Sequence, residues 1–185
     1  MRAFVSRTSF AVLALAVDDR VVTAHAPITF DGAGSAIFHL ARANQLVRYL
    51  AGRTVLATIV GENGYVSPDW YGTDDQVPTW NYRIVEIEGT ARRLDETELI
   101  DQLDRLSAVQ EALLTPKTPW TRDKMTGGHF VAMTKAIVGF AIDAPVIRGT
   151  AKLGQNKTDT EAAGAVAALR GIGREDMATL MEDAR

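Results

Sequence analysis

Apolar residues along this chain fall in short runs divided by polar turns, a pattern of antiparallel strands with helices inserted between them. Phe10-Ala-Val-Leu-Ala-Leu-Ala-Val17 and Val21-Val-Thr-Ala-His25 flank the polar turn Asp18-Asp19-Arg20 and predict a hairpin. After the glycine turn Asp31-Gly-Ala-Gly34, Ser35 to Leu40 predicts a third strand that carries His39 toward one end. Asn44 as N-cap, the stripe Leu46, Val47 and Leu50, and Gly52 as a left-handed stop predict a helix, followed by a β-branched fourth strand from Thr54 to Val60. Pro68 interrupts the aromatic segment Tyr65 to Tyr71 and puts it at a sheet edge or beyond one. A long fifth strand runs from Trp80 through Leu94, with Gly89 as a bulge or bend.

The second half turns helical before returning to the sheet. Asp95 with Glu98 three positions later predicts a capped amphipathic helix whose Leu99, Leu103, Leu106 and Val109 share a face, ending near Leu114. Pro116 and Pro119 mark a loop, Phe130 to Ala136 predicts a short helix, and Ala136 to Ile142 a buried sixth strand. Val146 to Asn156 reads as a polar, basic extension, and Thr158 to Leu169 as an alanine-rich helix capped by Thr158 and ended near Gly171. The order β-β-β-α-β-β-α-β predicts a mainly β, α+β fold: an antiparallel six-stranded barrel in one domain over 1–185, with its core over about 9–169 and a helical tail over about 158–185.

Composition narrows the chemistry. A chain of 185 residues that is 46% apolar can bury a real core without metals or disulfides. It contains no cysteine, which removes disulfides and thiolate chemistry and makes the cytoplasm the simpler compartment. Arg2 and Arg7 ahead of Phe10 to Val17 imitate a short secretory signal, but the following Asp18-Asp19 and second β-rich stretch suit a hairpin better. Charges break every long apolar run, so no membrane span is expected. A formal charge of -3 supplies no general attraction to nucleic acid, so any DNA contact needs a local patch, for which Arg92-Arg93, Arg148, Lys152 and Lys157 are the candidates.

Dinucleotide, Walker, zinc-protease and nucleophile-elbow motifs are absent from the sequence. The three histidines, His25, His39 and His129, fall on different elements, which argues against a metal site. What composition leaves unexplained is the run of aromatic, amide and hydroxyl residues Tyr65, Ser67, Trp70, Tyr71, Thr79, Trp80, Asn81 and Tyr82. Such residues suit the core of a dimer interface and equally a flat apolar slot for a planar ligand.

Five segments, Thr23-Ala-His-Ala-Pro27, His39-Leu-Ala-Arg-Ala-Asn44, Tyr65-Val-Ser-Pro-Asp-Trp-Tyr71, Val77-Pro-Thr-Trp-Asn-Tyr82 and Lys152-Leu-Gly-Gln-Asn156, resemble in order the motifs of the PaiB family. The resemblance spans about Ser9 to about Leu169. It implies a split β-barrel, FMN as cofactor, and a homodimer with flavin at the subunit interface. It also implies a cofactor set drawn from Thr23, His25, His39, Arg42, Asn44, Ser67, Thr79, Trp80, Asn81, Tyr82, Lys152 and Gln155. The stretch Leu40-Ala-Arg-Ala-Asn44 is similar to the phosphate-binding element of pyridoxamine 5′-phosphate oxidases, which puts Arg42 at the phosphate with helix amides after Asn44 beside it. Here Ala43 replaces a lysine of that element, and Gly154 replaces a serine of the PaiB segment. The resemblance implies a Tyr-x-Pro segment and a longer helix before the first strand, and Met1 to Arg7 is expected to be the stump of that helix.

Two functions of different class follow from the resemblance. One is a flavin-binding negative transcriptional regulator, although no basic recognition helix is visible and the Asp95 to Leu114 helix is acidic and apolar. The other is an FMN-dependent oxidoreductase acting on a small molecule, in which the flavin carries the chemistry and no catalytic motif need appear.

Overall fold

A computed structural model describes residues 1–185. The hairpin forms as the two runs around a polar turn predict, with its second strand longer than Val21 to His25: β1 (Phe10–Val17) and β2 (Arg20–Phe30) pair from Val17 opposite Arg20 to Phe10 opposite Pro27. They are followed by β3 (Ala36–Ala41), β4 (Thr54–Val66), β5 (Thr79–Arg93), β6 (Ile137–Ile142) and β7 (Val146–Lys152). Strand order is β4-β1-β2-β3-β6-β5-β7, and β4 also pairs with β5, so six strands close a barrel and β7 joins the outside of β5. The helices are α1 (Arg2–Thr8), α2 (Val47–Leu50), α3 (Glu96–Ala112), α4 (His129–Thr134), α5 (Asp159–Gly171) and α6 (Glu175–Glu182). No helix is long and apolar enough to cross a membrane.

The chain forms two compact units, Met1–Ile59 with Glu86–Arg148, and Val60–Val85 with Gly149–Arg185. In the first, barrel closure is visible where Gly52 N–H donates to Ala91 O (2.8 Å) and Ala91 N–H to Arg53 O (2.9 Å). Leu13, Ile28, Ile59, Ile87 and Ile142 fill the interior with Phe38 and Phe140, whose rings stack at 5.7 Å. A Cβ on Gly89 would lie 2.4 Å from Ile142 Cγ2, so this glycine lets the strand approach a branched side chain. Outside the barrel, α3 lays Leu99 and Leu103 on Ile37, Leu94, Ile137 and Ala141. Its start is set by a capping box in which Asp95 accepts from Glu98 N–H and Glu98 from Asp95 N–H.

The second unit has its own core, in which Val66, Tyr71 and Leu153 pack with Ala165, Val166 and Leu169 of α5 and Met177, Ala178 and Met181 of α6. Thr158 and Glu161 form the capping box of α5, as the sequence predicts. Arg170 reaches from α5 to Glu175 and Glu182 of α6.

Several expectations are revised. β4 continues through Gly61 and Gly64 to Val66; at Gly64 a Cβ would meet Arg174 Nη1 at 3.2 Å and Met177 Cγ at 3.4 Å, so this glycine admits α6 instead of ending the strand. Val146 to Lys152, expected as a polar, basic extension, is a seventh strand paired with β5, of which β6 covers only Ala91 to Arg93. The helix expected after Asn44 shrinks to four residues. Asn44 Oδ1 accepts from Leu46 N–H at 2.9 Å in a local turn, so the chain past Asn44 has no helix N-terminus to present to a phosphate. Gly52 does adopt the left-handed φ of +78° that its position demands.

Candidate functional site

In the first unit, Thr23 and His25 lie on the outward face of β2, opposite Ala14 and Val12 of β1. The alternation of β1 buries Ala11, Leu13, Leu15 and Val17 and turns Phe10, Val12, Ala14 and Ala16 outward. The outward face is therefore apolar too. Phe10 is 60%, Val12 37% and Val21 71% exposed, and the Phe10 and His25 rings stack at 6.3 Å. Thr58 and Leu56 of β4 pair with Val12 and Ala14 and extend the face to a third strand.

His39 and Arg42 face other surroundings. His39 points to the side of β3 covered by α3, where its Nδ1 lies 2.9 Å from Gln102 Oε1. Burial holds the His39 imidazole below its ordinary pKa, partly offset by that hydrogen bond, and Gln102 Nε2 has no partner. Arg42 donates from Nε to Lys135 O (2.8 Å) and from Nη2 to Ile137 O (3.1 Å). It borders a cleft of about 270 Å³ with Arg93 and Lys135, whose wall also carries Asp95 and Glu96. Asn44 spends its side chain on the turn described above.

In the second unit the period-two geometry of β5 sends Thr79 and Asn81 to one side and Trp80 and Tyr82 to the other. Thr79, Asn81, Lys152 and Gln155 come together in a cleft of about 210 Å³ with Tyr71 and Lys157. Lys152 Nζ donates to Thr79 Oγ1, and Lys157 Nζ donates to Gln76 Oε1 while lying 4.4 Å from the centre of the Tyr71 ring. Gln155 is occupied by its own turn, accepting from Leu153 N–H (2.9 Å) and donating to Ala151 O (3.0 Å). Gly154, at φ +77°, shapes that turn. Asn81 is 1% exposed; its Nδ2 donates to Met181 Sδ at 3.3 Å and its Oδ1 has no partner.

Ser67, Trp80 and Tyr82 are outside this cleft. Ser67 leads into the 3-10 turn Pro68–Tyr71, and Trp80, 57% exposed, meets Tyr65 edge to face at 6.5 Å. Tyr71, Val77, Gly154, Asn156 and Lys157 also line the cleft and are missing from the sequence-derived set. Lys157 was legible as the next cation after Lys152-Leu-Gly-Gln-Asn156, whereas Tyr71 joins only through folding of the second unit.

The cleft wall carries two ammonium groups and no carboxylate. The nearby Glu161 is held below the usual carboxylate range by hydrogen bonds from Thr158 and Thr73. Such a donor set, with the orphaned Asn81 oxygen, fits a ligand that combines an anionic group with a hydrogen-bond donor, as a ribityl phosphate does. Nowhere do three or more histidine, aspartate or glutamate side chains converge as metal ligands.

Protease synthase and sporulation protein PAI 2 of Bacillus subtilis is 29% identical over 187 residues, covering 97% of this chain and 89% of that protein. Among solved structures, the FAD and heme binding protein from Mycobacterium smegmatis superposes with a TM-score of 0.56 at 18% identity, covering 86% of this chain and 73% of that one. The flavocytochrome Anf3 from Azotobacter vinelandii gives 0.58 at 14%, covering 87% and 70%. At those identities the structures show the fold, that of flavin-binding split barrels. Residues 1–145 match the family described as "Putative FMN-binding domain", and the chain belongs to that FMN-binding, PaiB-like family.

Proposed function

We propose that this FMN-binding chain works as a homodimeric regulator of the PaiB type. The observation that carries the dimer is the outward face of β1 and β2. Phe10, Val12 and Val21 expose apolar surface on a strand face that also includes Ala14 and Ala16, an arrangement that calls for a cover. A second copy of the chain supplies an apolar cover of matching chemistry. Flavin contacts in the first unit are assigned to Thr23 and His25, beside that face, with His39, Arg42 and Asn44 supporting the neighbouring strand and turn. In the second unit they are assigned to Thr79, Asn81, Lys152 and Gln155, with Ser67, Trp80 and Tyr82 on the adjoining surfaces.

Direct DNA reading draws little support from the charges. Arg92 is paired with Glu98 and Asp143, and Arg148 with Glu86 and Glu88, so these candidates for a basic patch are locally neutralised. Regulation is therefore assigned to the flavin-bound state of the dimer rather than to an exposed recognition element.

An absorbance spectrum and FMN titration, with mass in solution measured on the same samples, test the reading. Wild type is expected to be a yellow dimer, and Val12→Glu, which puts a charge in the centre of the apolar face, is expected to shift it to monomer and weaken FMN binding. A wild-type protein that stays colourless at saturating FMN would sink the proposal, and a wild-type monomer would sink its dimeric part.

A further inference from the structure

The cleft of the second unit can be assigned a specific ligand group. Lys152 and Lys157 approach it from the two ends of the segment that joins β7 to α5, and each has one neutral partner, Thr79 Oγ1 or Gln76 Oε1. An ammonium group has three donors, so each lysine keeps donors for a further acceptor. The left-handed Gly154 and the hydrogen bond from Lys157 N–H to Gly154 O (2.9 Å) hold the two lysines on one tight turn. Gln155 braces the turn from within through Leu153 and Ala151. The buried Asn81 oxygen is an independent sign of a missing donor, since such an oxygen left unpaired costs about 1–3 kcal/mol.

The first-unit cleft is the competing place for an anion, and it is weaker on each count. Two donors of Arg42 are already committed to backbone carbonyls, and Asp95 and Glu96 on the wall offset the charge of Arg93 and Lys135. Asn44 opens no helix whose dipole could help.

We propose that the Lys152–Lys157 cleft is a phosphate site, with the two ammonium groups on the phosphate and Asn81 Oδ1 accepting from a hydroxyl on the same ligand. The phosphate belongs either to the ribityl chain of FMN, which rests on the function proposed above, or to a separate phosphorylated compound. Riboflavin shares every group of FMN except the phosphate, so the two flavins together isolate the contact.

The test uses the full chain stripped of flavin, as wild type, as the paired variant Lys152→Gln/Lys157→Gln, as the conservative pair Lys152→Arg/Lys157→Arg, and as Arg42→Ala. FMN and riboflavin are titrated by fluorescence, and inorganic phosphate is followed by phosphorus NMR on the apo and FMN-loaded forms. Thermal melts establish that each variant is folded. If the phosphate is that of FMN, the glutamine pair weakens FMN at least about tenfold, leaves riboflavin unchanged, and is partly rescued in the arginine pair. If the ligand is separate, FMN affinity is unchanged, while inorganic phosphate binds both forms of the wild type and neither form of the glutamine pair. Either result supports the site. A protein that takes no flavin but loses phosphate binding with the lysines retains the site while removing the FMN reading. Equal FMN and phosphate binding in wild type and glutamine pair overturns it, whether or not Arg42→Ala weakens FMN.

Discussion

His39 Nδ1 lies 2.9 Å from Gln102 Oε1, joining β3 to the helix that covers it. Gln102 is fully buried and the imidazole is desolvated, so the neutral ring is the favoured form and its Nδ1–H is the donor. Because the folded-state pKa is lowered, the pair stabilises the protein fully above the ordinary histidine value of about 6.5, and this contribution is lost as pH falls through the lower folded-state value. Thermal melts of wild type between pH 8 and pH 5 should show a loss on the acid side that is smaller in His39→Gln. Parallel profiles for the two proteins would contradict the assignment.

The capping box at α3 gives a local prediction. Asp95→Ala removes the acceptor for Glu98 N–H and should cost about 1 kcal/mol, a fall in Tm of about 2–4 °C for a chain of this size. Asp95→Asn keeps an acceptor and should recover most of the loss. Calorimetry on the three proteins checks both statements.

Gly164 makes a prediction opposite to helix propensity. Alanine in a helix interior is ordinarily better than glycine by about 1 kcal/mol, but a Cβ on Gly164 would sit 2.3 Å from Trp70 O. Gly164→Ala should therefore destabilise by about 1–3 kcal/mol, as overpacking does, while Gly171→Ala, with no atom within 4 Å of its Cβ position, should be neutral or stabilising. Urea denaturation of the pair would show whether α5 is held as closely against the Pro68–Tyr71 turn as described.

The stacked rings of Phe38 and Phe140 lie in the middle of the barrel. Phe38→Ala should cost about 3–5 kcal/mol and Phe38→Leu distinctly less, because leucine refills most of the space. A loss below about 1 kcal/mol in chemical denaturation would mean that the barrel interior is looser than its close packing implies.

Much of this protein was legible in its residues. Apolar and β-branched runs bounded by turns located the β1–β2 hairpin and the beginnings of β3 to β6, Asp95 with Glu98 and Thr158 marked two helix starts, and the ordered motifs pointed to the FMN-binding family. These signals are local: a strand face repeats every second residue, and a capping box closes within one turn.

Tertiary structure decided the rest. Val146 to Lys152 became a strand by pairing with the part of β5 that β6 does not cover, and Gly64 within β4 leaves room for a neighbouring helix. Arg42 resembles a motif arginine, and which acceptors its guanidinium would find, Lys135 O and Ile137 O, depended on residues more than ninety positions away. Similarly, Asn81 was left with an unpaired oxygen because α6 brought the Met181 sulfur to its other end. Sequence alone determined the six barrel strands, the caps of α3 and α5 and the family, since each is encoded in neighbouring residues or in ordered motifs. Which polar groups were satisfied, and which remained available to a ligand, was decided by packing between distant segments.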